Sequence, residues 1–211
     1  MIVIVDYGMG NLRSVEKGFE RAGHTDVKVT SDPEEVRRAS GLVVPGVGAF
    51  RDCKLNLDRL DLSGVIRESV RAGKPYLGIC LGLQILLESS EEFGASDGLG
   101  LIDGRVVGFP ADFPLKGLKV PHMGWNAVRY RRQPPIMAGI PEGSNFYFVH
   151  SFFVAPKDAG VIATETDYGM NFTSMIWKEN VFATQFHPEK SQTLGLKILE
   201  NYGNFVKKGR A

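Results

Sequence analysis

The sequence predicts an α/β fold: a doubly wound, mostly parallel sheet flanked by helices, with antiparallel strands in the C-terminal half. Three observations predict it. Apolar, β-branched runs alternate with helical spacings through residue 88. Glycine-bearing loops follow three of those runs, at Tyr7–Gly10, at Pro45–Gly48 and around Cys80, where wound parallel sheets place their sites. Beyond residue 98 the strand-like runs continue with few helices between them.

The elements follow in order. Ile2 to Val5 is an unbroken β-branched run, expected of a strand covered on both faces. Asn11 to Ala22 carries helical spacing, with Leu12, Val15, Phe19 and Ala22 on one side. Asp26 to Thr30 reads as a second strand. Pro33 to Ala39 reads as a helix with Asp32 as its cap and proline at its first position. Gly41 to Pro45 is the third strand, followed by helical stretches around 51–60 and 62–72. Pro75 to Ile79 is the fourth strand and Leu81 to Glu88 the helix after it.

The later strands are expected at Gly104–Gly108, Trp125–Tyr130, Phe146–Phe153, Val161–Thr164, Ser174–Lys178 and Val181–Phe186. The proline-bearing segments 108–121 and 131–143 read as surface loops. A closing helix spans about Ser191 to Val206.

Composition narrows the function classes. A chain of 211 residues, 43% hydrophobic, suits one domain over 1–211 and argues against disorder. A formal net charge of +1 argues against an extended nucleic-acid footprint. Two cysteines are no disulfide scaffold, so the expected compartment is the cytoplasm. The start MIVIVDYG reads as a first strand and not as a signal peptide, and no apolar run approaches membrane-span length. No cofactor or metal is expected. Cys-x-x-Cys and His-x-x-x-His spacings are absent. The Gly8-Met9-Gly10 loop fails the dinucleotide fingerprint, because position 13 is Arg13.

The chemistry gathers at Gly78-Ile79-Cys80-Leu81-Gly82. A cysteine between two glycines, at a strand-to-helix junction, has the layout of a nucleophile elbow with sulfur in place of oxygen. Such a cysteine is expected to stand exposed at a helix N-terminus, where the dipole favours a thiolate. Its base is sought in Gln185-Phe186-His187-Pro188-Glu189-Lys190. His187 follows an apolar strand, and Glu189 is spaced to return a carboxylate to the imidazole. Nucleophile, base and orienting acid form the triad arrangement. Free N–H groups in the Pro45-Gly46-Val47-Gly48 loop, at Gly46, Val47 and Gly48, can with that of Leu81 supply an oxyanion hole.

The other candidates read as structural. Cys53 fits a buried small hydrophobe, and His24 looks like surface. His122 and His150 have no carboxylate at close spacing, and the acidic run Glu88–Glu92 reads as a solvated helix end. Trp125 and Trp177 are packing residues on composition alone. At this level a cysteine peptidase on a similar sheet, or a non-catalytic module that keeps the fold, stays open. A module would usually lack a member of the triad.

These motifs resemble the three signatures of the class I (triad) glutamine amidotransferases: Gly78-Ile79-Cys80-Leu81-Gly82-Leu83-Gln84, Pro45-Gly46-Val47-Gly48 and Gln185-Phe186-His187-Pro188-Glu189. The resemblance covers nearly the whole chain and implies that family's fold. It also implies hydrolysis of glutamine to glutamate and ammonia through a cysteinyl thioester. Cys80, His187 and Glu189 would be catalytic, Val47 and Leu81 would form the oxyanion hole, and Gly46, Gly48, Gln84, Ser151 and Phe152 would bind the substrate. Where the family often has tyrosine after His-Ser, this chain has Phe152.

Three further segments are Asp6-Tyr7-Gly8-Met9-Gly10-Asn11-Leu12, Pro121-His122-Met123-Gly124-Trp125-Asn126 and Tyr147-Phe148-Val149-His150-Ser151. They resemble the subfamily of glutaminase subunits that feed ammonia to a (β/α)8-barrel cyclase in histidine biosynthesis, the imidazole glycerol phosphate synthase type. The product side of that reaction is imidazole glycerol phosphate and AICAR. The alternative is a class I amidotransferase subunit of another synthase, of anthranilate or pyridoxal phosphate type. By the same resemblance Tyr7, Asn11, Met123, Trp125, Tyr147 and Lys190 would dock on the barrel, forming a heterodimer without nucleic acid or membrane.

Overall fold

Strand β1 (Ile2–Val5) consists of four apolar, β-branched residues, and all four are buried. Alternate strand residues face opposite ways, so such a strand is covered on both sides. Ile2 and Ile4 pack with Val15 and Phe19, whereas Val3 and Val5 pack with Leu57 and Ile66. β1 therefore lies inside a layer sandwiched by helices. The computed structural model describes residues 1–209.

The chain continues through α1 (Leu12–Arg21), β2 (Val27–Thr30), α2 (Pro33–Arg38), β3 (Gly41–Gly46), α3 (Phe50–Arg59), α4 (Leu62–Arg71) and β4 (Tyr76–Cys80). After these come α5 (Leu81–Gln84), β5 (Leu87–Ser90), β6 (Ser96–Asp97), β7 (Ile102–Gly108), β8 (His122–Ala127), β9 (Arg129–Tyr130), β10 (Asn145–His150) and β11 (Phe152–Pro156). β12 (Ile162–Asp167), β13 (Asn171–Lys178), β14 (Val181–Thr184) and α6 (Gln192–Lys208) follow.

Local chemistry sets several boundaries. The Asp32 carboxylate accepts from Glu34 N at 2.8 Å, and Pro33 occupies the first turn of α2, as its sequence predicts. Asn11 caps α1 by accepting from Ser14 N at 3.3 Å.

Strands β2, β1, β3, β4 and β14 lie side by side in parallel. Antiparallel β13, β11 and β7 extend the sheet, and β5 returns parallel to β7. β12 pairs with β13, while β8 and β10 form a separate two-stranded ribbon. This matches the expected fold class. Helices α1 and α6 contribute to one core, and α2, α3 and α4 to the other.

The register explains where a site can form. Gly46 at the end of β3 is opposite Cys80 at the end of β4, and Thr184 at the end of β14 is opposite Ile79. Three adjacent parallel strands thus deliver the Pro45–Gly48 loop, Cys80 and the Gln185–Glu189 segment to one rim of the sheet.

Several expectations need correction. The helix predicted over Leu81–Glu88 is a single turn, after which Leu87–Ser90 pairs with β7. Leu81, Leu83, Ile85, Leu86 and Leu87 are all buried, so the segment lacks the one-sided pattern that a longer surface helix needs. The run Phe146–Phe153 is two strands in different sheets, broken at Ser151. The proline-bearing segments are anchored loops: Phe113, Ile136, Met137 and Ile140 are buried. His24 is also buried, with Nε2 at 3.0 Å from Glu200 O and its ring against Gly203 of α6.

Candidate active site

Cys80 has φ +56° and ψ −105°, a conformation that L-residues rarely adopt. Its neighbours permit it. A β-carbon at Gly78 would lie 2.4 Å from Gly82 O, and one at Gly82 would lie 1.7 Å from Val44 O. Both glycines are therefore fixed by close backbone approach. The strained residue between them has the positive-φ backbone of a nucleophile elbow, and its sulfur meets Val149 O and Gln185 Nε2. The cysteine is less open than expected. It is 7% exposed, and it reaches solvent through a cavity of about 310 Å³.

The cavity brings together most of the residues singled out from sequence. Val47, Gly48, Cys80, Leu81, Gln84, Ser151 and Phe152 all line it. Gly46 lies just beneath, packed so closely that a β-carbon would sit 2.2 Å from the Tyr7 hydroxyl. Val47 is 41% exposed, so the Pro45–Gly48 loop forms the solvent side of the pocket. Gln84 Nε2 donates to Phe152 O at 2.9 Å. The same carbonyl lies 2.9 Å from His150 Nδ1. Phe152 thus presents main-chain chemistry to the site, and its ring packs near Gly108.

His187 and Glu189 are held together behind the cysteine. Their Nδ1 and Oε1 atoms are 2.8 Å apart, and each side chain is 2% exposed. Ser191 Oγ donates to His187 O at 2.6 Å, and His187 N donates to Tyr147 O at 2.9 Å. These bonds fix the imidazole from its own backbone. Burial opposes its charge, but interactions with the Cys80 sulfur and the Glu189 carboxylate outweigh burial and lift its pKa to about 9. The ring is then an imidazolium at neutral pH. An imidazolium beside sulfur is the arrangement in which a cysteine acts as a thiolate nucleophile. Nε2, the nitrogen not bonded to Glu189, is buried without a hydrogen bond.

The two cysteines separate cleanly. Burial pushes the Cys53 thiol up to about 12, and the residue lies on the buried face of α3 in the core it shares with β1, β3 and α4. It remains a neutral core thiol.

Sequence reasoning missed four cavity-lining residues: Glu92, Pro121, Val149 and His150. Glu92 belongs to the acidic run read as a solvated helix end. Its Oε2 instead accepts from Phe50 N at 2.7 Å and caps α3 from across the cavity. Glu88 and Glu91 similarly accept from Gly104 N and Gly108 N. His150 forms a buried pair with His122, Nε2 to Nδ1 at 3.0 Å. Burial lowers His150 to about 3 and His122 to about 4, so both stay neutral. Glu92, Val149 and His150 are marked by hydrogen-bond partners distant in sequence, which spacing does not reveal.

The six candidate docking residues divide. Met123 and Trp125 are 61% and 48% exposed on the outer face of the β8–β10 ribbon. Trp125 meets Tyr147 edge-on at 6.2 Å, and Lys190 Nζ sits 5.8 Å from the Tyr147 ring centre. Asn11 is exposed at the cap of α1. Tyr7 is the exception and corrects the expectation. It is buried, its hydroxyl donates to Pro45 O at 2.8 Å, and burial raises its pKa well above 10. It braces the Pro45–Gly48 loop from below.

The sequence matches the family described as glutamine amidotransferase class-I over residues 3–204. It is 55% identical over 209 residues to the imidazole glycerol phosphate synthase subunit HisH of Syntrophotalea carbinolica, covering 97% of this chain and 100% of the relative. It is 50% identical over 200 residues to the protein of that name from Aquifex aeolicus, covering 95% of this chain and 94% of the relative. Among solved structures, a glutamine amidotransferase aligns with TM-score 0.72 at 17% identity, covering 96% of this chain and 98% of that one. PurLQS from Thermotoga maritima aligns with TM-score 0.70 at 17% identity, covering 100% and 98%. At these identities the structural likeness bears on the fold alone.

Proposed function

The chain belongs to the class I glutamine amidotransferases, and on that premise we propose that it hydrolyses glutamine to glutamate and ammonia with Cys80, His187 and Glu189. It is the glutaminase subunit of an imidazole glycerol phosphate synthase and acts in histidine biosynthesis, as the near full-length relatives at 50–55% identity indicate. The same relatives disfavour a subunit of anthranilate or pyridoxal phosphate type. One observation carries the chemistry. Cys80 and the Pro45–Gly48 loop end adjacent strands in register, beside an imidazole held by a carboxylate at 2.8 Å.

In this account the Cys80 sulfur attacks the side-chain amide carbon of glutamine. N–H groups at Val47 and Leu81 bind the developing oxyanion, a contribution of about 3–4 kcal/mol in comparable sites. His187 gives its Nε2 proton to the departing nitrogen, which leaves as ammonia. Water then adds to the thioester while His187 takes a proton from it. The C–S bond breaks, releasing glutamate and restoring the sulfur. Glu189 holds the ring orientation and stabilises its charged form. Gly46, Gly48, Gln84, Ser151 and the main chain at Phe152 hold the substrate's amino-acid end.

The ammonia is delivered to a (β/α)8-barrel cyclase docked on the same rim of the sheet. Exposed Met123 and Trp125, with Asn11, Tyr147 and Lys190, support that surface, and Tyr7 is not part of it. The whole chain acts as one amidotransferase domain in the cytoplasm. Among the described residues no helix is long and apolar enough to cross a membrane.

Glutamate release, measured with and without the barrel cyclase and its nucleotide substrate, tests this assignment. The expected result is slow hydrolysis alone and a large rise in the complex, because the partner reorients the exposed Val47–Gly48 peptides. Failure to co-elute with the cyclase contradicts the docking. Full activity without it contradicts the gating.

A further inference from the structure

Gln185 is a completely buried amide that the chemistry above does not use. Burying an amide is costly unless its groups are bonded. Its Oε1 accepts from Gln84 Nε2 at 3.2 Å, and its Nε2 lies 3.6 Å from Cys80 Sγ as a donor. The network itself fixes which end faces the sulfur. Gln84 must direct Nε2 toward Phe152, because a carbonyl oxygen can only accept. Gln84 therefore offers a second N–H to Gln185, which must answer with Oε1. A flipped Gln185 would place two donors against each other. The group facing Cys80 is thus an N–H.

Sulfur in a neutral thiol is a weak acceptor, whereas a thiolate accepts a charge-assisted hydrogen bond. This N–H therefore binds one protonation state of the nucleophile far better than the other. Besides Gln185 and the His187 ring, the sulfur meets Val149 O at 3.9 Å, which can only accept and so pairs only with an S–H. The two contacts oppose each other: Val149 O can pair only with an S–H, whereas the Gln185 N–H pairs best with the anion. We propose that Gln185 is a further catalytic residue, whose side-chain amide stabilises the Cys80 thiolate as it attacks and again as it is expelled from the thioester. This rests on the assignment of Cys80 as nucleophile.

The test is alkylation of Cys80 by iodoacetamide across pH, read by mass spectrometry on the full chain. Gln185→Met and Gln185→Glu are compared with the native protein. Replacing the donor with Met lowers the rate at pH 7 by about tenfold, the scale of one hydrogen bond to a charged group. Gln185→Glu, which puts an acceptor against the sulfur, lowers it further. All three proteins converge at high pH, where every thiol is ionised. A role in packing alone would not move this profile. The kcat for glutamine falls by a similar factor, with KM within about twofold. A folded Gln185→Met protein with the native alkylation profile overturns the proposal.

If both variants fail to fold, side-chain amide resonances in the native protein decide the matter. Those of Gln185 shift as the sulfur ionises and lose that shift in Cys80→Ala; resonances that ignore the ionisation overturn the proposal. A dead Cys80→Ala beside unaffected Gln185 variants removes this inference and leaves the nucleophile in place. An active Cys80→Ala removes both.

Discussion

The neutral pair His122 and His150 makes stability depend on pH in a defined window. His150 Nδ1 donates to Phe152 O at 2.9 Å, so its Nε2 must accept the bond from His122 Nδ1 at 3.0 Å. Asn126 Nδ2, at 3.3 Å, supplies a donor to His122 Nε2. Each ring thus uses one nitrogen as donor and one as acceptor, and a proton added to either displaces a bond. Burial lowers His150 from 6.5 to about 3 and His122 from 6.5 to about 4. Because both folded values are depressed, the stabilisation is complete above pH 6.5 and is lost as pH falls toward them. At ~1.36 kcal/mol per pH unit, His150 alone forfeits about 2.5 kcal/mol by about pH 4.5. His122, lowered to about 4 and packed among Phe109, Phe148, Tyr168 and Phe172, adds nearly as much. His187 changes little here: its value near 9 keeps it protonated in the folded state, and the unfolded imidazole is charged once pH falls well below 6.5. Glu35, Glu88 and Asp58 are shifted downward and change mainly below the window. Urea unfolding at a series of pH values should show this loss with uptake of one to two protons, as the linkage requires. His150→Leu should flatten the slope while lowering stability at pH 7. Stability that stays level from pH 6.5 to about 4.5 refutes the reasoning.

Two more perturbations follow from the bonds around the site. Tyr7→Phe removes the donor to Pro45 O, and we expect a loss of ~1–2 kcal/mol in thermal or urea unfolding with lower kcat. Its affinity for the barrel partner should be unchanged, because Tyr7 is buried; weakened docking would restore it to the interface. Glu189→Gln replaces the carboxylate that helps to raise His187, so the imidazole pKa falls from about 9 and glutaminase activity drops by at least about tenfold. A raised folded pKa stabilises below 6.5 and loses that contribution as pH climbs through about 9. The native protein should weaken over that interval and the Glu189→Gln protein should weaken less, which unfolding midpoints will show.

Much of this was readable from local patterns. An unbroken β-branched run marks β1, Asp32-Pro33 marks the start of α2, and two glycines flanking Cys80 mark a junction where the backbones of β3 and α5 close in. His187 and Glu189 are two residues apart, so their contact is local and spacing exposes it. What escaped depends on partners far along the chain. Glu92 looks like solvated charge until Phe50 N, 42 positions away, is seen beside it. Tyr7 sits in a glycine-rich loop, yet a carbonyl 38 positions on draws it inward. His24 is covered by α6, which forms at the other end of the sequence. The short α5 escaped because an all-apolar segment has no periodicity to separate helix from strand.

The central claim is that Cys80, not Cys53, forms the thioester with glutamine. The most direct measurement is glutamate and ammonia release by the native, Cys80→Ala and Cys53→Ala proteins, with acid-quenched samples searched for a glutamyl adduct. The account predicts no hydrolysis and no adduct for Cys80→Ala, while added ammonia still supports the partner's synthesis. Cys53→Ala should stay near native, with the adduct mapped to Cys80. Glutamine hydrolysis retained by Cys80→Ala, or an adduct on Cys53, would contradict it.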